Sequence, residues 1–276
     1  VNVRVTDGQL RVRVSNQQAY AAFPTTFHKV TTGAEAVGAW YCASKDTGFP
    51  GAWSVGTSGV NGRATDGTAT ADDGCLLVPS PSQGDLFLTS FTVHSEVNAT
   101  VVLADILWVN DGLNVTTLTE QTFTTPAWPS RDVSGLSTGT GLWIGMLVTA
   151  ALGNAAPITN CTIRYTNSAG TASRTATSSV PATPVVGTVV WFRMQAGDEG
   201  VTSIQGITNA TSFVSGTYSL FVARPIVWTY AAPTGSYEGG TGGGMRLYNG
   251  SCLHPFYIAT ATTLTTLSGH LGLEAR

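Results

Sequence analysis

Any acid–base or metal chemistry in this chain would have to be built from four histidines, His28, His94, His254 and His270, and sixteen carboxylates. The histidines stand in four unrelated contexts. None belongs to an HxH, HExxH or HxxE pattern, which would put two ligands or a ligand and a base on one face of an element. No GxSxG turn presents a serine nucleophile. Glycoside hydrolysis needs two carboxyls roughly 5–10 Å apart across a cleft. The nearest pairs along the chain are Asp72–Asp73, Asp105–Asp111 and Asp198–Glu199. The last falls in "QAGDEGVTS", which reads as a tight turn. Asp105 lies inside a strong strand pattern, where a buried hydrogen-bonded carboxylate or an interface ion pair is expected. Asp66, Asp72 and Asp73 share a glycine-rich loop that could offer oxygen ligands to calcium, but their spacing departs from the D-x-[DN]-x-[DN]-G loop. Cys42, Cys75, Cys161 and Cys252 form no CxxC pair; buried free thiols are expected, with a Cys42–Cys75 disulfide as the alternative. These residues point to no catalytic constellation, no cofactor and no metal.

Arginine is the more informative charged residue. The segment "CTIRYTNSAGTASRTATSS" (161–179) reads as two strands around an Asn167–Gly170 turn. Alternation places Arg164 and Arg174 on one outer face, where they could bond backbone carbonyls or a carboxylate such as Asp198. At the start of the chain, Val1, Val3 and Val5 share one strand face, and Leu10, Val12 and Val14 share the next. Asp7-Gly8 supplies the turn between them. The opposite faces carry Arg4, Arg11 and Arg13. An isolated hairpin is marginal in water, so this one is expected to dock on the body or on a neighbouring subunit. Arg4, Arg11, Arg13, Arg164 and Arg174 are therefore the candidate contact residues.

The elements that must position these groups are strands. Val-, Thr- and aromatic-rich runs follow at intervals from Asp85 onward, punctuated by Gly, Pro, Asn and Asp. "LVTAALGNAA" is the best helix candidate, and Gly153 and its β-branched neighbours weaken it. The pattern predicts an all-β fold, an antiparallel β-sandwich of jelly-roll type or a barrel, with long Gly/Thr-rich loops and an N-terminal β-hairpin. Four regions are expected: a hairpin or docking arm at 1–30, a loop-rich region at 31–83, the main sandwich at 84–232, and a glycine-rich loop with C-terminal strands at 233–276. The glycine-rich run "TGSYEGGTGGGMR" reads as a connecting loop and the tail "LSGHLGLEAR" as an exposed end.

Charged residues make up 11% of the chain, against the usual ~25%. Only Lys29 and Lys45 are lysine, and the net charge is −3. Neither a nucleic-acid surface nor a membrane-headgroup surface fits that balance. The opening residues lack an apolar leader pattern, and no apolar run is long enough to span a membrane. A surface of Thr, Ser, Asn and Gly can be covered by a partner without desolvating ions, so subunit contacts are one reading; a secreted Thr-rich β protein is the other. Among the tryptophans, Trp108, Trp143, Trp191 and Trp228 sit in apolar strand patterns. A core or subunit-interface role is expected for them, with sugar stacking as the alternative.

One stretch resembles a known family. The pieces are Tyr165-Thr166-Asn167, then Gly170-Thr171 with Arg174, a Pro-rich link, Ala196-Gly197-Asp198 with Gly200-Val201, and Ser203-Ile204-Gln205. In that order they are similar to a pattern of tailed-bacteriophage structural proteins. "LADILWVNDGL" through "LWIGMLVTAALG" and the loop "AWYCASKDTGFPGA" fit the same order, and the likeness covers residues 38–225. "DEGVTS" departs from it by lacking an arginine after the valine, and the segments before Gly33 and after Pro225 have no counterpart. The resemblance implies a non-enzymatic virion component. A capsid decoration (cement) protein is the first expectation. It would be a homotrimer bound to the major capsid protein on the capsid exterior and assembled in the host cytoplasm. The alternative is a tail-fibre or receptor-binding module whose aromatic face takes a host-surface glycan.

Overall fold

The computed structural model describes residues 2–6, 9–13, 25–31, 35–76, 78–79, 84–233, 237–260 and 266–276, with side chains for all but 2–6, 9–13, 237–243 and 259. The chain is all-β. Among the described residues, helix is confined to two single 3-10 turns, Ala43–Lys45 and Thr70–Asp72. The strands are, first, β1 (Asn2–Thr6), β2 (Gln9–Arg13), β3 (Thr25–Val30), β4 (Trp40–Cys42), β5 (Thr47–Phe49) and β6 (Arg63–Ala64). Next come β7 (Leu86–Ser95), β8 (Ala99–Asn110), β9 (Gln121–Thr122), β10 (Trp143–Ala150), β11 (Ile158–Asn167) and β12 (Arg174–Val180). Last are β13 (Thr188–Trp191), β14 (Val201–Thr208), β15 (Thr217–Ala231), β16 (Tyr237–Leu247), β17 (Leu253–Ala259) and β18 (Thr266–Ala275). The helix candidate of the sequence is strand β10 and the loop after it.

Six strands close on themselves in the order β8-β15-β10-β13-β4-β17 and back to β8, every pair antiparallel. Closure removes the unpaired edges that an open sheet would expose. A four-stranded sheet, β12-β11-β14-β9, and a five-stranded sheet, β16-β7-β18-β3-β5, complete the body. Three cores follow from this layout. One cluster draws on all six barrel strands, including Cys42, Ile106, Leu147, Val189, Phe221 and Phe256, and so fills the barrel. A second packs Ile144, Met146, Leu220 and Val222 of the barrel against Ile163, Tyr165 and Ile204 of the four-stranded sheet. A third packs Val101, Leu103 and Tyr257 against Phe27, Phe91, Val93 and Leu267 of the five-stranded sheet.

Register shifts let one strand serve more than one core. In β15, Pro225 faces Ala104 and Val227 faces Leu103, leaving Ile226 as an extra residue. Such a bulge reverses which residues point inward. Before it, Phe221 and Ala223 point into the barrel; after it, Val227 and Ala231 join the third core.

Three expectations change. The glycine-rich run is strand β16 from Tyr237 onward, paired with β7, and Thr234–Ser236 lie outside the described residues. The tail is strand β18, held between β7 and β3 in the middle of its sheet rather than exposed as an end. The N-terminal segment forms the expected antiparallel pair, with Arg4 opposite Arg11, while Val1, Asp7-Gly8, Val14 and the side chains of Arg4, Arg11 and Arg13 lie outside the described residues.

Candidate functional site

Four tryptophans meet at one mouth of the barrel. Trp40 opens β4, Trp191 closes β13, Trp143 opens β10, and Trp228 follows the bulge in β15. Antiparallel pairing brings these strand ends together: Val189 faces Trp40, and Gly145 faces Trp191. Trp40 lies edge-on to Trp191 (6.1 Å between ring centroids) and to Trp228 (5.7 Å). Trp143 lies edge-on to Trp191 (5.5 Å) and tilted to Trp228 (6.0 Å), so the four rings form a closed circuit. Edge-to-face contact is the favoured aromatic geometry, worth about 0.5–1.5 kcal/mol per pair beyond area burial. Below the circuit Trp191 rests on Phe221 and Phe256, which stack with planes 12° apart. Trp228 remains 47% exposed, and Tyr230, two residues on, is exposed as well.

A cavity of about 270 Å3 opens beside this circuit, lined by Trp143, Ile144, Trp191, Phe192, Arg193 and Met194. Its outer wall is the segment leaving β13. Phe192 N–H donates to the Ile144 carbonyl at 2.9 Å. Arg193 and Thr177 exchange two backbone hydrogen bonds (2.9 and 3.0 Å), tying the wall to β12. The cavity therefore sits on the seam between the barrel and the four-stranded sheet. Arg193 is exposed at its rim.

The β11–β12 hairpin holds the other two described candidate arginines. Arg174 Nε donates to Asp198 Oδ2 at 3.0 Å, the carboxylate alternative of the two partners the sequence offered. Asn167 Nδ2 donates to Asp198 Oδ1 at 2.7 Å, and the Tyr165 hydroxyl donates to Oδ2. The Arg174 guanidinium, with help from Tyr165 and Asn167, holds the Asp198 carboxyl down to about 2. Arg164 instead pairs with Glu120 at 2.6 Å. The shared outer face is corrected by the register: Arg174 faces Tyr165 across the hairpin, on the core side, while Arg164 faces Thr175 on the outer side. A turn closed by Asn167 N–H to Thr171 O sets that register.

The remaining candidate groups serve the interior. Asp105 is fully buried and accepts from Arg131 Nε (3.1 Å), Ser251 Oγ (3.0 Å) and Cys252 N (2.8 Å). Asp72 takes a bidentate pair from Arg63 and a bond from Asp66 N, which occupies the carboxylate weighed for calcium. Both lysines point inward. Lys29 Nζ donates to the carbonyls of Pro50 (2.7 Å), Gly51 (3.0 Å) and Asp46 (3.4 Å), and Lys45 Nζ donates to Trp53 O (2.9 Å). Burial lowers both ammonium pKa values. All four cysteines are free and buried, and burial pushes the Cys42 thiol up to about 12. Cys75 neighbours Cys252, not Cys42. His254 is buried against Trp53, and desolvation drives its pKa down to about 3, so it is a neutral packing residue.

Sequence reasoning identified Trp143, Trp191 and Trp228 as core or interface residues but did not join them to Trp40 or notice Arg193. The available signal was position: Trp143 opens a strand, Trp191 closes one, and Arg193 interrupts the apolar run "VVWFRM".

No protein-family model matches the chain, and no curated protein matches it. A solved structure of infectious bursal disease virus, Gx strain, is similar at 13% identity over 91% of this chain and 80% of that chain. Its TM-score of 0.17 is too low to carry an argument about either fold or function.

Proposed function

We propose that the chain is a non-enzymatic structural component of a bacteriophage virion. In this reading it is a capsid decoration protein that binds the major-capsid lattice as a homotrimer. The observation that carries the reading is where the charge goes. Both lysines cap interior carbonyls, and Arg63, Arg131, Arg174 and Arg224 pair with buried carboxylates. What faces outward is rich in hydroxyls and glycine, with exposed Val37, Phe49, Val60, Leu136, Val214 and Trp228 among them. Such a surface can be covered by a protein partner at low desolvation cost. The resemblance over residues 38–225 supports the same class. Quantitative gel analysis of purified virions tests it. A copy number matching the coat lattice, with a trimer in analytical ultracentrifugation, is expected. Absence from the particle, or a complement confined to the tail, refutes it.

A second reading is a tail-associated module with a carbohydrate-binding face. The cavity beside Trp143 and Trp191 favours it, since aromatic walls offer a stacking surface for a sugar ring.

A further inference from the structure

Eight arginines have described side chains: Arg63, Arg131, Arg164, Arg174, Arg193, Arg224, Arg246 and Arg276. Seven pair with a carboxylate: Arg63 with Asp72, Arg131 and Arg224 with Asp105, Arg164 with Glu120, Arg174 with Asp198, Arg246 with Asp85, and Arg276 with Glu274. Arg193 is the exception. Among the described residues its guanidinium has neither an ion pair nor a hydrogen bond, and it stands at the rim of the aromatic cavity. Every other residue lining that cavity is apolar, and none is acidic.

We propose that this cavity binds a carboxylate-bearing pyranose, a uronate-type residue of an acidic polysaccharide. The inference rests on the second reading above and names its ligand class. Three features select this chemistry. First, the half-buried Trp143 and Trp191, backed by the buried Ile144 and Phe192, present aromatic surface on which the C–H face of a pyranose can lie. Second, the one charged group is a guanidinium, whose planar fork matches a carboxylate through two parallel hydrogen bonds. A neutral sugar leaves that fork unused. Third, the volume of about 270 Å3 lies just under the roughly 300–1,000 Å3 typical of drug-sized ligands, which suits a single ring with the polymer continuing into solvent. The wall is already fixed by the Ile144–Phe192 and Thr177–Arg193 backbone bonds, so little ordering is needed on binding. Those bonds also distinguish a sugar from an acidic peptide. A peptide binding beside β12 would add as a strand to free backbone groups. At Thr177 these groups are taken by Arg193.

The test is titration of the full chain with D-glucuronate, D-glucose and an acidic decapeptide, followed by tryptophan fluorescence and ligand-observed NMR. Glucuronate is expected to give a saturable signal that weakens with added salt, while glucose at equal concentration gives a much smaller one. Arg193→Gln, an exposed change, should weaken glucuronate about tenfold, the effect of losing one charge-assisted pair, and leave the glucose response unchanged. Phe192→Leu reports on the cavity wall and should weaken both sugars together. The inference is overturned if glucuronate gives no saturable signal, if Arg193→Gln binds it as tightly as the parent, or if only the peptide binds. Saturable glucose binding without a preference for glucuronate would overturn the uronate assignment and leave the carbohydrate-face reading standing, whereas no response to either sugar would remove both, so the two failures are distinguishable.

Discussion

Gly145 on β10 lies beneath the tryptophan circuit, and a methyl group there should be felt throughout the mouth. A Cβ at this position would stand 2.2 Å from Phe221 Cζ, 2.6 Å from Cε1 and 2.8 Å from Cε2. Ordinary contact is about 3.5–4.0 Å, so the ring would have to withdraw by more than an ångström. Its retreat is blocked by Phe256, stacked at 5.6 Å, and by Trp191, edge-on at 5.2 Å. Overpacking of this kind costs about 1–3 kcal/mol. Against it stands the gain of about 0.4–1 kcal/mol from restricting the unfolded chain when glycine becomes alanine at a permitted backbone angle. At the middle of these ranges the net expectation for Gly145→Ala is a loss of about 1.3 kcal/mol, or a Tm lower by roughly 3–5 °C at 2–4 °C per kcal/mol. Thermal unfolding followed by circular dichroism measures the loss, and tryptophan emission reports the displaced Trp191. Phe221→Leu removes the clashing atoms. In the Gly145→Ala/Phe221→Leu double variant the two costs should therefore fall short of additive by at least about 0.5 kcal/mol. An alanine variant that melts at or above the parent, or a strictly additive double variant, refutes this account of the barrel core.

Burial, with Glu35 nearby, raises the Asp46 carboxyl to about 7, only partly offset by Lys29. The folded state therefore favours the protonated acid, and the chain should lose stability as pH rises from about 4 through 7. Asp46→Asn should flatten that slope and stabilise the protein at pH 8 by on the order of a few kcal/mol, read from urea midpoints at pH 4 and pH 8. Asp198 is the reverse case: its pKa is depressed to about 2, so its contribution is present above about pH 4 and lost as pH falls toward 2. Asp198→Asn should be less stable than the parent at pH 7 and show a shallower acid limb; an unchanged acid limb would show that the Arg174–Tyr165–Asn167 cradle does not act on it. Because both lysine ammonium groups are engaged inside, a brief amine-reactive pulse on the native protein should leave Lys29 unmodified and label it only after denaturation, as read by peptide mass mapping.

What the sequence carried was local. Alternation in "LFLTSFTVHS", the two strands and turn of the hairpin at 161–179 and the dominance of strand over helix could all be read from neighbouring residues. What it did not carry depended on partners far away in the chain. Strand β16 is built on glycines, which have low strand propensity, and pairing with β7 makes it a strand despite that. The last strand could be placed in mid-sheet only by knowing that residues near 270 meet those near 27 and 92. Barrel closure likewise requires 99–110 to find 217–231. The face of Arg174 was misread because hairpin register follows turn geometry, and a one-residue shift exchanges the two faces. The tryptophans could be identified as a residue type, but their convergence could not, since each sits on a different strand.

The path of β15 has a consequence for how the molecule comes apart. One continuous segment supplies Leu220 and Val222 to the first sandwich layer, Phe221 and Ala223 to the barrel, and Val227 and Ala231 to the second layer. Pulling it from any one layer exposes apolar surface in the other two. Among the described residues the three cores are therefore coupled through this one strand and should unfold together rather than layer by layer.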